Sequence, residues 1–312
     1  MLVTRSPAEL PRPAHGLCLA LGLFDGVHLG HQHVLRHALA HAVTLAGESV
    51  ALTFDPHPLS VVRPDRAPRL LQPLPQRMRV MQSLGLNATL VIPFTPEVAA
   101  LDGREFILGL LRDTGRIRSL SVGDGFQFGR HRSGTVDLLR ELGASHGFQV
   151  HAAPPVALGG EVVSSSRIRQ LLREGEIEAA GELLGRPYAL SGRVIVGDQL
   201  GRTLGFPTAN LDITGLELPP SGVYAVRVRR LSRETDHPAV LNLGVRPTLS
   251  RTEGELRFEV HLLNFNADLY GEELEVTFVD RLRDERRFPD LDTLKSQIAA
   301  DISIARSVLD IR

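Results

Sequence analysis

Apolar positions in the first part of the chain come in two textures. LCLAL (17–21), SVALTFD (49–55), NATLVIPF (87–94), RSLSVG (118–123) and FQVHAAPPV (148–156) are short apolar runs of the kind buried strands show. Between them lie HQHVLRHALAHAVTLAG (31–47), 74–86, 97–112 and DLLRELGASHG (137–147), each predicted helical. SSSRIRQLLREGEIEAAGELLG (164–185) closes the region as one or two further helices. Strands alternating with helices at this spacing predict an α/β domain with a mostly parallel sheet.

From about Gly185 the pattern changes. YALSGRVIVG, GVYAVRVRRL, HPAVLNLG, LRFEVHLLNF and ELEVTFVDRL alternate apolar and polar residues and are separated by Gly, Pro and Asp. Such a series predicts an antiparallel sheet or small barrel. The leucines and isoleucines of LDTLKSQIAADISIARSVL recur at helical spacing, so a terminal helix is expected. The boundary is placed so that one domain spans 1–185 and the other 186–312. No internal repeat or low-complexity linker is visible.

Composition narrows the function classes. Apolar residues make up 43% of the 312, enough to build a core. The 35 basic and 36 acidic side chains nearly cancel, which argues against a nucleic-acid partner. No apolar run reaches the ~18 residues of a membrane span, and the N-terminus lacks a secretory apolar stretch. A cytoplasmic protein with no membrane partner is expected. Cys18, the lone cysteine, reads as a buried thiol within an apolar run. Lys295 is the one lysine, so basic groups at any site should be guanidiniums, suited to bidentate phosphate contacts. All histidines except His237 and His261 precede residue 152, a skew that separates two chemistries along the chain.

The first chemical region is Gly22-Leu23-Phe24-Asp25-Gly26-Val27-His28-Leu29-Gly30-His31, between a strand and a helix. Ligands bind beyond the carboxyl ends of such strands, and a helix N-terminus there favours phosphate. His28 and His31 flank Gly30, which permits close backbone approach, and two imidazoles can donate to polyphosphate oxygens. This is neither the GxxxxGK[ST] loop nor the GxGxxG fingerprint. Asp25 reads as a loop-fixing or substrate-positioning group. His33, His37 and His41 recur every four residues, a spacing that suits a metal. No carboxylate or cysteine joins them, so helix surface or ordinary packing is expected. At the next strand end, Thr53-Phe54-Asp55-Pro56-His57-Pro58 brackets His57 between prolines and preorganises that loop.

At 164–169, Ser164, Ser165 and Ser166 can cap a helix whose first turn carries Arg167 and Arg169. Arginine in a first turn opposes the helix dipole, which makes sense where an anion binds. Together these features point to a nucleoside triphosphate attacked at its α-phosphorus, with pyrophosphate leaving. A second chemical region begins at Gly201-Arg202-Thr203-Leu204-Gly205-Phe206-Pro207-Thr208-Ala209-Asn210-Leu211, expected as a rigid loop with exposed amides. Thr208 and Asn210 offer neutral oxygens of the kind Mg2+ accepts beside substrate phosphates. In Arg257-Phe258-Glu259-Val260-His261 strand alternation sets Phe258 and Val260 on one face and Glu259 and His261 on the other. From the residues alone, Glu259 is either a general base or an ordinary exposed strand residue.

GLFDGVHLGH, TFDPHP and SSSRIR resemble the phosphate-handling motifs of the HxGH nucleotidylyltransferases. In particular they resemble the adenylyltransferase half of the bacterial bifunctional riboflavin kinase/FMN adenylyltransferase (FAD synthetase) family. GRTLGFPTANL, LPPSGVYAV, NLGVRPT, FEVHLLNF and DLYG resemble the successive motifs of its riboflavin kinase module. The resemblance implies a Rossmann-like domain with a parallel sheet, then a small antiparallel β-barrel with a terminal helix. It implies a multifunctional transferase: riboflavin is phosphorylated to FMN, and FMN is adenylylated to FAD, with ATP as co-substrate and Mg2+ at the triphosphate. His28 and His31 would hold the triphosphate, Gly22, Phe24, Asp25, Gly30, Asp55 and His57 would complete that pocket, and Ser165, Ser166, Arg167 and Arg169 would close over it. Gly201, Arg202, Gly205 and Pro207 would form the kinase nucleotide loop, Thr208 and Asn210 would serve Mg-ATP, and Glu259 would deprotonate the ribityl 5′-hydroxyl.

Four positions depart from the family's motifs. Leu23 stands where Asn is frequent, Gly125 and Gln127 replace a usual acid and arginine, and Asn264 replaces an Asp with loss of a charge near the flavin or nucleotide region. They leave two alternatives open: a riboflavin kinase with a weakened or differently specific first domain, and a flavin-binding regulatory protein.

Overall fold

The computed structural model describes residues 1–197, 200–246 and 255–311, and the chain divides into two compact units. One is Met1–Leu70 with Leu74–Arg167; the other is Leu71–Pro73 with the chain from Ile168 onward.

The first unit begins with β1 (Leu2–Thr4), β2 (Leu17–Leu21), α1 (Leu29–Thr44), β3 (Glu48–Asp55), α2 (Pro58–Val62), α3 (Leu74–Ser83) and β4 (Ala88–Pro93). It continues through α4 (Pro96–Ala100), α5 (Gly103–Thr114), β5 (Ile117–Gly123), α6 (Val136–His146) and β6 (Gln149–Ala153). A small hairpin, β7 (Ala157–Leu158) and β8 (Glu161–Val162), leads into α7 (Ser165–Glu174). The six-stranded sheet has the order β1-β4-β3-β2-β5-β6, and every pairing is parallel. Both faces are covered, as a parallel sheet requires. Leu19, Leu52 and Leu120 join Phe106, Ile107 and Leu139 from α5 and α6 in one core. Ala20, Ala51 and Val91 pack with Leu35 and Met81 from α1 and α3 in the other. Cys18 is fully buried, and burial raises its thiol pKa.

The strand order fixes where a ligand can enter. From β2 the chain builds outward on one side through β3 and β4, then returns to add β5 and β6 on the other. The crevice beyond the carboxyl end of β2 is the sheet's topological switch point, and residues 22–28 occupy it.

Some local expectations need correction. The predicted helix over 97–112 is two helices, because Asp102 starts α5 with a reciprocal capping box to Glu105. β1 and the β7–β8 hairpin were not expected; both are too short to show a pattern.

In the second unit α7 is followed, across Gly175 at φ +86°, by α8 (Ile177–Leu184). Next come β9 (Ala189–Ile195), α9 (Leu200–Leu204), β10 (Ala209–Leu211), β11 (Gly222–Arg230), β12 (Thr235–Arg246), β13 (Glu255–Leu262), β14 (Glu273–Arg283) and α10 (Leu291–Val308). The strands close a barrel in the order β10-β13-β12-β11-β14-β9, antiparallel throughout. Tyr224 and Phe258 meet Phe278 edge-on inside it, with ring centroids 5.3 and 6.3 Å away. Ala305 and Leu309, in and just after α10, pack on Val223, Ala225 and Val240 from the barrel's outer face. Buried Asp301 secures this helix by receiving Arg283 at 2.7 Å and Gln297 at 2.7 Å. The expected rigid loop 201–211 contains most of α9 and all of β10, the strand that closes the barrel.

Candidate active sites

Residues 22–31 form a tightly wound turn. Phe24, Gly26 and Val27 all take positive φ, at 52°, 83° and 40°. Strain in two non-glycine residues is tolerated because both side chains are fully buried and fixed. Gly22 makes this possible: a Cβ there would meet the Phe24 ring at 2.9 Å. His28 caps α1, its Nδ1 accepting from the His31 amide at 3.3 Å. The two imidazoles stack with centroids 3.6 Å apart, and Phe24 meets His31 edge-on at 5.4 Å. Gly30 is needed for a reason the sequence did not reveal: a Cβ there would lie 3.1 Å from the His28 ring itself. The structure therefore brings His28 and His31 together at a helix N-terminus, on the switch-point crevice.

Beneath this turn lies a residue that sequence reading missed. Arg77, on α3, is only 6% exposed and donates to the Leu23 carbonyl at 2.7 Å and the Phe54 carbonyl at 3.4 Å. Thr53 also donates to the Leu23 carbonyl, at 2.8 Å. One guanidinium thus ties the loop after β2 to the end of β3. Burial lowers its pKa, while Asp25 and Asp55 pull it back up. No motif signals Arg77, and only its place beside the apolar Met78 and Met81 hints at burial. Leu23 acts through its carbonyl, which any residue supplies, so that departure from the motif costs nothing at this contact.

The remaining first-unit candidates take varied positions. Asp25 is buried, and its carbonyl accepts from the Ser165 hydroxyl at 2.9 Å, docking the start of α7 onto the turn. Ser164 accepts from the Arg167 amide at 3.2 Å. The Arg167 guanidinium is turned onto the β7–β8 hairpin, 2.9 Å from the Glu161 carboxylate and 3.1 Å from the Leu158 carbonyl. Arg169 is buried in the second unit. Ser166, which the resemblance set over the triphosphate, lies in the first turn of α7 with its side chain exposed. Asp55 pairs with Arg5 at 3.3 Å, and His57 caps α2 by accepting from the Leu59 amide at 3.1 Å. Gly125 and Gln127 are exposed.

The helical histidines form a packed ladder. His33 and His37 meet edge-on at 4.7 Å, and His41 stacks on His151 at 3.7 Å. Burial lowers the His41 pKa, with His37 adding to the effect; burial and then His41 lower that of His151. Among the described residues, no group of three or more His, Cys, Asp or Glu side chains is arranged to hold a metal.

In the barrel, Asn210 on β10 lies directly across from Glu259 on β13, which in turn faces Asn242 on β12. Glu259 is also 3.7 Å from the Arg257 guanidinium. Ala209 and Val260 alternate to the opposite face, where they line a cavity of about 560 Å3 with Arg202, Pro207, Thr208 and Tyr270. Thr208 thus borders the cavity, whereas Asn210 and Glu259 do not line it. Gly197 leaves room for the Asn210 amide, and Gly201 for the Phe206 carbonyl and the Thr208 hydroxyl. Gly205 turns the loop at φ +89°. Asn264 also has a positive φ, 55°, and accepts from Arg306 of α10 at 2.7 Å, so it is engaged away from the cavity lining. Pro247 and Thr248 of NLGVRPT lie outside the described residues.

A parallel α/β unit with paired histidines at its switch point, followed by a closed barrel with an Asn–Glu pair at its seam, defines a two-module nucleotide-handling protein. The FAD synthetase family model matches residues 10–167, ending where the first unit ends, and the riboflavin kinase model matches 184–309. Over 294 residues the chain is 40% identical to the bifunctional riboflavin kinase/FMN adenylyltransferase of Escherichia coli (strain K12), covering 94% of this chain and 93% of that one. Its likeness to the protein of the same description from Pseudomonas fluorescens is 40% over 298 residues, covering 95% and 94%. A solved structure described as a macrolide-efflux protein from Streptococcus pneumoniae superimposes with a TM-score of 0.81 at 30% identity, covering 98% of each chain. Among the described residues, no helix is long and apolar enough to cross a membrane. The chain belongs to the bifunctional riboflavin kinase/FMN adenylyltransferase family.

Proposed function

We propose that the chain carries out two ATP-dependent steps: phosphorylation of the riboflavin 5′-hydroxyl to FMN by residues 186–312, and adenylyl transfer to FMN by residues 1–185, giving FAD and pyrophosphate. The observation that carries the second step is the stacked His28–His31 pair at the start of α1. Because His28 Nδ1 accepts from the His31 amide, the neutral ring carries its proton on Nε2, the nitrogen suited to donate to a phosphate oxygen. His31 adds a second donor, and the amides of the first turn favour the charge that develops on departing pyrophosphate. Asp25 and Arg77 hold the turn in shape. Asp55, His57, Ser165, Ser166 and Arg167 complete the nucleotide pocket in this reading.

In the barrel Glu259 takes the proton from the attacking hydroxyl, and the Gly201–Asn210 segment receives ATP. Thr208 and Asn210 are neutral oxygen donors beside one carboxylate, a set that suits Mg2+ sharing its ligands with phosphates and water. Those two residues would hold it, and it would supply charge screening of the triphosphate. Both steps use ATP and free flavin, and on that chemistry we assign the chain to the cytoplasm.

The test is chromatographic separation of flavins after incubating the purified chain with Mg-ATP and riboflavin, and in parallel with FMN. FMN followed by FAD is expected in the first arm, and FAD with pyrophosphate in the second. FMN without FAD, under oxidised and reduced conditions alike, would reduce the assignment to a kinase. Bound flavin with no turnover would leave a binding protein.

A further inference from the structure

We infer that His261 is a positioning residue of the kinase site, clamping the nucleotide loop to the strand that carries Glu259. The inference rests on the kinase reading above.

β10 is only three residues long, and its register to β13 covers Ala209 opposite Val260 and Asn210 opposite Glu259. Two such pairs to β13, with two more to β9, are a short tether for a segment that carries α9 and one side of the cavity. Continuing the register would set Thr208 opposite His261, then bring in Pro207, which has no N–H to give the ladder. His261 makes up the missing connection. Its Nδ1 lies 2.7 Å from the Pro207 carbonyl, and the ring meets Phe206 edge-on at 5.9 Å. A carbonyl only accepts, so Nδ1 carries the proton, a condition met by the cation and by one neutral tautomer. Two residues earlier on the same strand face, Glu259 stands across from Asn210. One side chain thus joins the peptide preceding Thr208 to the strand bearing the base, and sets their separation. Within the loop, Phe206 N–H to the Gly201 carbonyl at 2.8 Å closes α9 on itself but does not anchor it to β13.

Three variants separate this role from bulk packing. Asn at 261 attaches its amide nitrogen to Cγ, as histidine does Nδ1, so His261→Asn retains the donor. His261→Gln moves the donor one bond outward, and His261→Ala removes it. In the full chain without nucleotide, hydrogen exchange of the 202–206 amides should be about three- to tenfold faster in His261→Ala and His261→Gln than in wild type, and near wild type in His261→Asn. Riboflavin phosphorylation should lose a similar factor in kcat/KM for ATP in the same two variants, with KM for riboflavin unchanged. FMN adenylylation should stay constant and report intact folding. Equal exchange in all four proteins, or His261→Asn behaving like His261→Ala, would overturn the clamp. If the wild-type chain makes no FMN, the kinase reading falls, while hydrogen exchange still decides whether His261 fixes the loop.

Discussion

The two ends of the chain handle phosphate by different means. In the first unit the important groups are set by backbone: Phe24, Gly26 and Val27 bend one loop at positive φ, and the imidazoles follow from the helix that starts there. In the barrel the groups are set by register, since Asn210 and Glu259 meet only because β10 pairs with β13. A backbone-built site depends on buried supports beneath it. A register-built site depends on what holds a short strand in place.

Separate variants should break the two sites independently. Glu259→Gln is expected to slow FMN formation by about 10²–10⁴-fold, with FAD formation from supplied FMN unaffected. The reverse pattern is expected of His28→Ala, with a loss of about 10²–10³-fold confined to FAD formation. Both are read by chromatography with riboflavin or FMN as the starting flavin. If either change abolished both activities in a folded chain, the two sites would not be independent.

Support beneath the first site can be tested by stability. Arg77→Met removes the buried guanidinium that holds the Leu23 and Phe54 carbonyls and whose charge offsets that of buried Asp25, and should cost the first unit about 3–5 kcal/mol in denaturant unfolding. Its loss of FAD formation should exceed any loss of FMN formation.

A smaller effect is expected from the histidine ladder. The folded chain keeps His41 and His151 neutral below the ordinary value of 6.5, whereas the unfolded chain takes up protons there. Stability from this pair is present above about pH 6.5 and is lost as pH falls through and below it. Scanning calorimetry at about pH 7.5 and about pH 5.5 should show a smaller drop in Tm for His151→Gln than for wild type. An equal drop would remove the ladder from the account.

Much of the fold was legible because burial imposes patterns. Buried β2 and the interior of β3 read as largely apolar runs, and β14 and the second half of β11 as alternation. The paired histidines and the Glu259 face were legible from local spacing. What escaped depended on distant chain. Arg77 acts on carbonyls 54 and 23 positions away, and carbonyls carry no sequence signal. β10 was hidden because the three residues before Asp212 are too few for alternation, and their strand character comes from β9 and β13. Gly30 was read as permitting close backbone approach; that a Cβ there would crowd the His28 ring was not legible.

The placement of β10 bears on how the barrel assembles. β9 finds its partners in β10 and in β14, and the latter pairing joins Ser191 to Glu275 far along the chain. Contacts between such distant segments form slowly, because a long loop must close before they give any return. The hairpins β11–β12 and β12–β13 can form locally, so the closing of the seam is the step that waits for the C-terminal strand. A ribosome-bound chain truncated before β14 would hold Asn210 and Glu259 without the frame that closes the barrel around them. In refolding, riboflavin phosphorylation should therefore return with the slowest structural phase of the barrel and not with its first hairpins.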